Sequence, residues 1–308
     1  MANIRELALD GERLASGHRL CPGCALPIIA RAVMRGTKDP IVVSNATGCL
    51  EVSTTIYPYT AWKVPWIHNA FENAAATITG VEAAYKALKR TGKINKEIKF
   101  LAFGGDGGTY DIGLQSLSGA LERGHDFVYV CVDNEGYMNT GIQRSSSTPY
   151  GAWTNTSAVG KAHKGKEQFK KELTAVVAAH HIPYVAQASP HNYMDLLRKS
   201  EKAFAAKGPA FINVLSPCVP GWKYPSSQSI KLAKLAVDTC FWPLFEIEND
   251  TWILNYDPGI NKKPIIEWLK LQGRFRHLMK PENAHIVEQI QNNIDLRWEQ
   301  LKKWCGKA

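Results

Sequence analysis

The stretch from Ile98 to Asn134 constrains the fold most. Ile98 to Phe103 alternates as a strand and runs directly into Gly104-Gly105-Asp106-Gly107-Gly108. A helix follows over Ile112 to Arg123, and an apolar strand over Phe127 to Val132 ends at Asp133-Asn134. A helix between two apolar strands is the crossover of a parallel pair. The same alternation runs along the chain. Leu26 to Arg35 reads as a helix, Pro40 to Ser44 as a buried strand and Asn69 to Arg90 as an Ala-rich helix. Helix, strand, helix and strand follow near 168–180, 183–188, 191–206 and 209–215. The expectation is an α/β fold, a parallel sheet with helices on both faces. Residues 134–168, polar and rich in Gly, Ser and Thr, read as a long binding loop. Beyond Cys218, Pro217, Pro220 and Pro225 punctuate the chain before a helix near 227–239 and a hairpin near 244–256. A last helix over 282–304 sets Ile286, Ile290, Ile294, Trp298 and Leu301 on one stripe.

Composition narrows the function classes. The 308 residues carry 37 Lys+Arg against 28 Asp+Glu, a formal charge of +9, with 45% hydrophobic residues. That profile excludes a disordered chain, a collagen repeat and a disulfide-dense miniprotein. No apolar run reaches the ~18–20 residues of a membrane helix. The opening MANIRELALDGERLASGHRL has no apolar signal core, so cytoplasmic residence is expected. Nucleic-acid signatures are missing: there is no zinc-finger Cys/His spacing and no aromatic RNA-binding motif. The densest basic stretch, Lys262 to Lys280, is interleaved with Pro264, Trp268 and Phe275, as a folded and solvated face would be. Seven cysteines in such a chain point to metal binding or redox chemistry before disulfides.

The turn at 104–108 can bring backbone N–H groups against a diphosphate. A dinucleotide fingerprint would need a third glycine where Tyr110 stands, and no Gly-Lys-Ser/Thr follows for a P-loop. The Asp between the glycines is the distinguishing feature. A bare carboxylate would repel phosphates, so a cation must stand between them, and Mg²⁺ with oxygen ligands suits that place. Asn134, 28 residues after Asp106 at the end of the neighbouring strand, can add a side-chain oxygen, and Gly136 a backbone carbonyl. Gly-Asp-Gly followed at this distance by Asn after an apolar strand is the thiamine diphosphate motif. Cysteine supplies the second constellation. Cys21-Pro-Gly-Cys24, Cys49 and Cys218 offer four thiolates near strand ends, enough for zinc or a [4Fe–4S] cluster, and spacing does not decide between them. Cys131, Cys240 and Cys305 read as structural.

On these residues the chain resembles the β subunit of the pyruvate:ferredoxin oxidoreductase family, the 2-oxoacid:ferredoxin oxidoreductases. The resemblance runs through Gly17-His-Arg-Leu-Cys-Pro-Gly-Cys24, Asn45-Ala-Thr-Gly-Cys-Leu-Glu51, Tyr57-Pro-Tyr-Thr-Ala-Trp-Lys-Val-Pro-Trp66 and Phe71-Glu-Asn-Ala-Ala75. It continues through Tyr137-Met-Asn-Thr-Gly-Ile-Gln-Arg144, Pro217-Cys-Val-Pro-Gly-Trp222 and Leu269-Lys-Leu-Gln-Gly-Arg-Phe275. It implies a thiamine diphosphate-binding α/β domain carrying the cluster over residues 1–220, and a C-terminal extension over 221–308 packing on the core or on partner subunits. The diphosphate would sit on Gly105, Asp106, Gly107 and Gly108, with Mg²⁺ on Asp106, Asn134 and Gly136. Thr47, Gly48 and Cys49 would lie near the cofactor, and Asn139 would hydrogen-bond the substrate-derived group. The cluster would take Cys21, Cys24, Cys49 and Cys218.

The implied activity is oxidative decarboxylation of a small 2-oxoacid, with pyruvate the first choice and electrons passed to ferredoxin. Branched-chain oxoacids, 2-oxoglutarate and oxalate are the alternatives, the last without CoA and the others forming an acyl-CoA. The implied partners are α, γ and δ subunits; the α subunit would supply the activating Glu and the substrate-binding residues. Two features depart from the family pattern. Ala25-Leu26 replaces a polar pair such as Gly-Glu after the Cys-x-x-Cys, and no carboxylate here suits activation of the aminopyrimidine. Glu72, expected on the Ala-rich helix, reads as a structural or interface residue. A non-redox thiamine decarboxylase would leave the four cysteines without a role. A zinc-bearing, non-catalytic interaction subunit is the reading outside this class.

Overall fold

A computed structural model describes residues 11–307; the reading of the opening stretch as lacking a signal core falls in part on residues 1–10, outside them. One eight-stranded sheet holds β1 (Ile41–Ala46), β2 (Trp66–Asn69), β3 (Lys99–Gly105), β4 (Val128–Asp133), β5 (Tyr184–Ala188), β6 (Ala210–Leu215), β7 (Phe245–Glu248) and β8 (Thr251–Leu254). Their spatial order is β2-β1-β3-β4-β6-β5-β7-β8. The first six are parallel; β7 and β8 join antiparallel to β5 and to each other. The helices are α1 (Leu26–Met34), α2 (Cys49–Val52), α3 (Ala74–Arg90), α4 (Leu114–Glu122), α5 (Leu173–Ala178), α6 (Tyr193–Ala205), α7 (Val219–Trp222), α8 (Ser229–Asp238), α9 (Ile266–Leu269) and α10 (Ala284–Trp304).

Helices cover both faces, which is why the central strands are apolar without interruption. Leu101 and Phe103 of β3, with Val128, Val130 and Val132 of β4, pack into one apolar layer with α1 and α6. Their alternates, Phe100, Ala102, Tyr129 and Cys131, pack into the other with α3, α4, α5, α8 and α10. No helix among the described residues is long and apolar enough to cross a membrane.

Three boundaries depart from the expectation. The stretch read as the start of the Ala-rich helix begins instead with a strand end: Asn69 pairs with Ala46, and its side chain donates to Ser44 Oγ at 2.7 Å. The helix therefore starts at Ala74, and Glu72 sits in the turn before it rather than on it. After Asp106 the backbone forms a π-helical turn over Gly107–Ile112 before α4. Gly113 at that junction has no alternative, since a Cβ there would lie 2.1 Å from the Gly108 carbonyl. Further on, α5 begins at Leu173 and not near 168, because Lys170 and Lys171 turn back to bond Asp133 Oδ2 and the Ser146 carbonyl.

The hairpin extends the main sheet, and the stripe on α10 is buried as its period requires. Trp268 anchors this region: it is wholly buried, its ring lies 4.4 Å from Phe241 and 5.6 Å from Trp222, and its Nε1 donates to the Leu232 carbonyl. Trp268→Ala is expected to cost about 3–5 kcal/mol of unfolding free energy. Denaturant titration of the purified chain checks this, and a loss under about 1 kcal/mol would show that the aromatic cluster does not hold the extension.

Candidate functional site

In open α/β sheets ligands gather at the C-terminal strand edge, where successive crossovers diverge. Here β1 leads outward to β2 while β3 leads to β4 on its other side, so the crevice lies between β1 and β3. Thr47, Gly48 and Cys49 follow β1; Gly105, Asp106, Gly107 and Gly108 end β3; Asn134, Gly136 and Asn139 follow β4. All ten line one cleft of about 330 Å³. Phe71, Tyr137, Met138 and Thr140 complete its walls. A larger cavity of about 1130 Å³ lies among α5, the hairpin and α10, walled by Trp242, Trp252 and Trp298; none of the candidate residues reaches it.

The glycines divide by purpose. A Cβ on Gly107 would strike the Tyr137 ring at 2.3 Å, and one on Gly108 the Phe71 carbonyl at 2.8 Å, so both are dictated by close packing. The Tyr137 hydroxyl donates to the Gly107 carbonyl at 2.9 Å, fixing the turn from above. A Cβ on Gly105 or Gly48 would meet no protein atom within 4 Å, so these two keep the cleft open.

Asp106 is 1% exposed. Burial, and after it the Asp133 carboxylate, push its carboxyl well above the usual carboxylate range. Its Oδ2 accepts from Ser145 Oγ, and its Oδ1 from the Asn134 N–H at 3.3 Å. The Asn134 side-chain amide stands 2.9 Å from Asp106 Oδ1 and 2.8 Å from the Gly136 carbonyl, and with its NH₂ turned inward it donates to both. Turned the other way, it sets an amide oxygen beside a carboxylate and a carbonyl, the donor set a hard divalent ion prefers. Mg²⁺ therefore fits these residues.

The four candidate cysteines come from three places. Cys24 N–H closes the Cys21–Cys24 turn on the Cys21 carbonyl at 3.0 Å. Gly23, at φ +78°, lies so close to Ser226 that a Cβ would sit 2.4 Å from its carbonyl, and Ser229 Oγ donates to the Gly23 carbonyl at 2.5 Å. Cys49 opens α2, and Cys218 precedes α7. Burial pushes the Cys24 and Cys218 thiols up to about 12 and Cys49 up to about 11. Charge on Cys49 and Cys21 also raises Cys24, and all three raise Cys218, so the four form one electrostatic neighbourhood. Among the described residues no three His, Cys, Asp or Glu side chains gather tightly enough to hold a single ion. The Asn139 amide lies close enough to the Cys49 thiol to oppose the upward push of burial, so the two constellations adjoin. Cys131 and Cys240 are buried and Cys305 partly so; all seven cysteines are free.

Several residues of the site carry no individual signal in the sequence. Ser145 bonds Asp106, and Ser147 donates to Asp133 Oδ1 at 2.6 Å, from a Ser-rich loop whose only sequence mark is its polarity. Lys170 reaches Asp133 Oδ2 at 2.8 Å from outside any motif. Ala25 and Leu26, at the start of α1, are buried in the apolar layer, so neither offers the cleft a polar contact. Glu72 packs its backbone against Gly113 and does not line the cleft.

The thiamine pyrophosphate enzyme family, C-terminal TPP binding domain, matches residues 46–214. A pyruvate synthase subunit PorB of Thermotoga maritima is 54% identical over 97% of this chain and 95% of its own length. PorB of Methanocaldococcus jannaschii is 53% identical over 92% and 94%. A ketoisovalerate oxidoreductase subunit VorB of Pyrococcus abyssi is 44% identical over 95% and 93%. Among solved structures, a 2-oxoglutarate:ferredoxin oxidoreductase from Magnetococcus marinus shares the fold at 20% identity and a TM-score of 0.55, covering 72% of this chain and 79% of its own. At these identities and coverages the chain belongs to the 2-oxoacid:ferredoxin oxidoreductases, as a β-type subunit of a multi-subunit enzyme.

Proposed function

We propose that this subunit carries thiamine diphosphate with Mg²⁺ and a [4Fe–4S] cluster, and that its complex decarboxylates pyruvate oxidatively, forming an acyl-CoA and reducing ferredoxin. The observation that carries the reading is the convergence of the Asp106 carboxylate, the Asn134 amide and the Gly136 carbonyl in the same cleft that Cys49 enters. Thiamine diphosphate supplies a nucleophilic carbon and an electron sink for the decarboxylation. Asp106, Asn134 and the Gly136 carbonyl would hold the ion, and Gly105, Gly107 and Gly108 leave the backbone room to meet the diphosphate. Asn139 would donate a hydrogen bond to the substrate-derived oxygen without competing for a proton; Thr47 and Gly48 would border the reacting end. Cys49 lines the cleft beside Asn139 and lies within the electrostatic reach of Cys21, Cys24 and Cys218, so it would join the thiamine end to the cluster.

Spacing leaves zinc and a cluster level, and the four thiols lie within one another's field. Membership of a ferredoxin-reducing family is what favours the multi-iron cluster. The two PorB relatives favour pyruvate, and the VorB relative keeps a branched-chain oxoacid as the alternative. Cytoplasmic residence and partnership with α, γ and δ subunits belong to the same reading.

A substrate panel on the native complex tests the activity: pyruvate, 2-oxoisovalerate, 2-oxoglutarate and oxalate, with and without CoA, following ferredoxin or viologen reduction. CoA-dependent turnover fastest on pyruvate is expected; a preference for any other acid overturns the substrate. Asp106→Ala should abolish thiamine diphosphate and Mg²⁺ occupancy, measured on the purified complex, and full occupancy would contradict the metal assignment. Cys218→Ser is expected to lose the cluster. Four iron atoms per chain with an unchanged spectrum in that variant would mean that the fourth ligand lies elsewhere.

A further inference from the structure

The segment Leu269–Phe275 lies far along the chain from either constellation, yet its arginine reaches the turn that follows β4 and the turn that follows Cys218. Arg274 is 1% exposed. Its Nη2 donates to Glu135 Oε2 at 2.6 Å and its Nε to Gln272 Oε1 at 2.9 Å. The guanidinium lies over the Trp222 ring at 4.1 Å. The Trp222 Nε1–H donates to the Asn134 carbonyl at 2.8 Å. Next door, the Gly273 N–H donates to the Lys223 carbonyl at 3.0 Å, docking the segment on the end of the Cys218–Trp222 turn.

Glu135 is the residue between the two proposed metal ligands. It is fully buried, and its φ of +66° is a left-handed conformation that non-glycine residues seldom adopt. Such a conformation persists only where the surroundings hold it. Thr148 Oγ1 holds the Glu135 carbonyl at 2.8 Å, Asp133 Oδ1 its N–H at 3.0 Å, and Arg274 its carboxylate. Across this residue the Asn134 amide and the Gly136 carbonyl come within 2.8 Å.

We propose that Arg274 is a positioning residue: paired with Glu135 and stacked on Trp222, it clamps the Asn134–Gly136 turn to the Cys218–Trp222 turn and so presents the metal-binding oxygens. The inference rests on the reading of Asp106, Asn134 and Gly136 as the Mg²⁺ site. Groups that orient metal ligands from behind change affinity about 10- to 100-fold when removed. A clamp of this kind also ties the geometry of the diphosphate site to that of the Cys218 turn, with no residue of α10 or the hairpin involved.

Two variants of the assembled complex separate a clamp from mere packing. Arg274→Lys keeps a buried cation but loses the planar fork and the stacking face. Trp222→Phe keeps a ring under the guanidinium but loses the bond to Asn134. For each, thiamine diphosphate binding is followed by tryptophan fluorescence quenching during Mg²⁺ titration, beside iron content and melting temperature. The Mg²⁺ concentration at half-saturation should rise about 10- to 100-fold, with iron retained and saturating Mg²⁺ restoring binding. Wild-type Mg²⁺ dependence in both variants overturns the clamp. So does a loss of assembly or of iron in both that excess Mg²⁺ fails to restore, since that is the mark of packing alone. Asp106→Ala is run alongside: unchanged cofactor binding there refutes the metal site itself, whereas loss there with wild-type Mg²⁺ dependence in both Arg274→Lys and Trp222→Phe refutes the clamp alone.

Discussion

Two carboxylates buried side by side at the ends of adjacent parallel strands govern the organisation of the site. A buried charge is costly unless it is paired. The chain treats the two unequally. Asp133 receives Lys170, the Tyr110 hydroxyl at 2.7 Å and the Ser147 hydroxyl, an internal set that satisfies it within the protein. Asp106 accepts from a serine hydroxyl, one long backbone N–H and the Asn134 amide when its NH₂ points inward; among the described residues no lysine or arginine side chain hydrogen-bonds it. Lys170 acts on Asp106 as well, yet burial and the Asp133 carboxylate outweigh it. Under the proposed function, a cation at Asp106 would answer that imbalance.

The sheet order explains why the two constellations meet. β1, β3 and β4 are neighbours, so whatever follows each of them projects into the same crevice. The residues after β1 bring a thiol, those after β3 a phosphate-sized turn, and those after β4 the amides of Asn134 and Asn139. The fourth cysteine arrives from β6, the next strand along, through Ser216, whose N–H is held by the Asp133 carbonyl at 2.7 Å. The thiols and the glycine turn thus share a wall, with Cys49 belonging to both.

Legibility in the sequence followed the range of the interaction. Asp106 and Asn134 were readable because a strand, a glycine turn and a helix advertise themselves over a few dozen residues. The cysteines were readable as a set by their chemistry and by the family resemblance, while spacing alone left zinc and iron–sulfur level. β2 was not readable: four residues, Trp66 to Asn69, behind a proline offer too short a period, and only pairing with β1 makes them a strand. Glu72 was misplaced for the same reason. Arg274 lies within the Leu269–Phe275 motif, yet the motif gives it no role, because its partner Glu135 lies 139 residues away in the chain and no local pattern records such a pairing.

The Cys21–Cys24 turn rests on Ser226 and Ser229, residues encoded far downstream of it. During synthesis these two cysteines emerge first and have no seat until the region past residue 229 has left the ribosome. Their final geometry is therefore a property of the completed chain, and any inorganic group that uses all four thiols has to be installed after translation has passed that point. A truncation anywhere before it would leave a pair of reactive thiols waiting on the surface, available to the wrong metal.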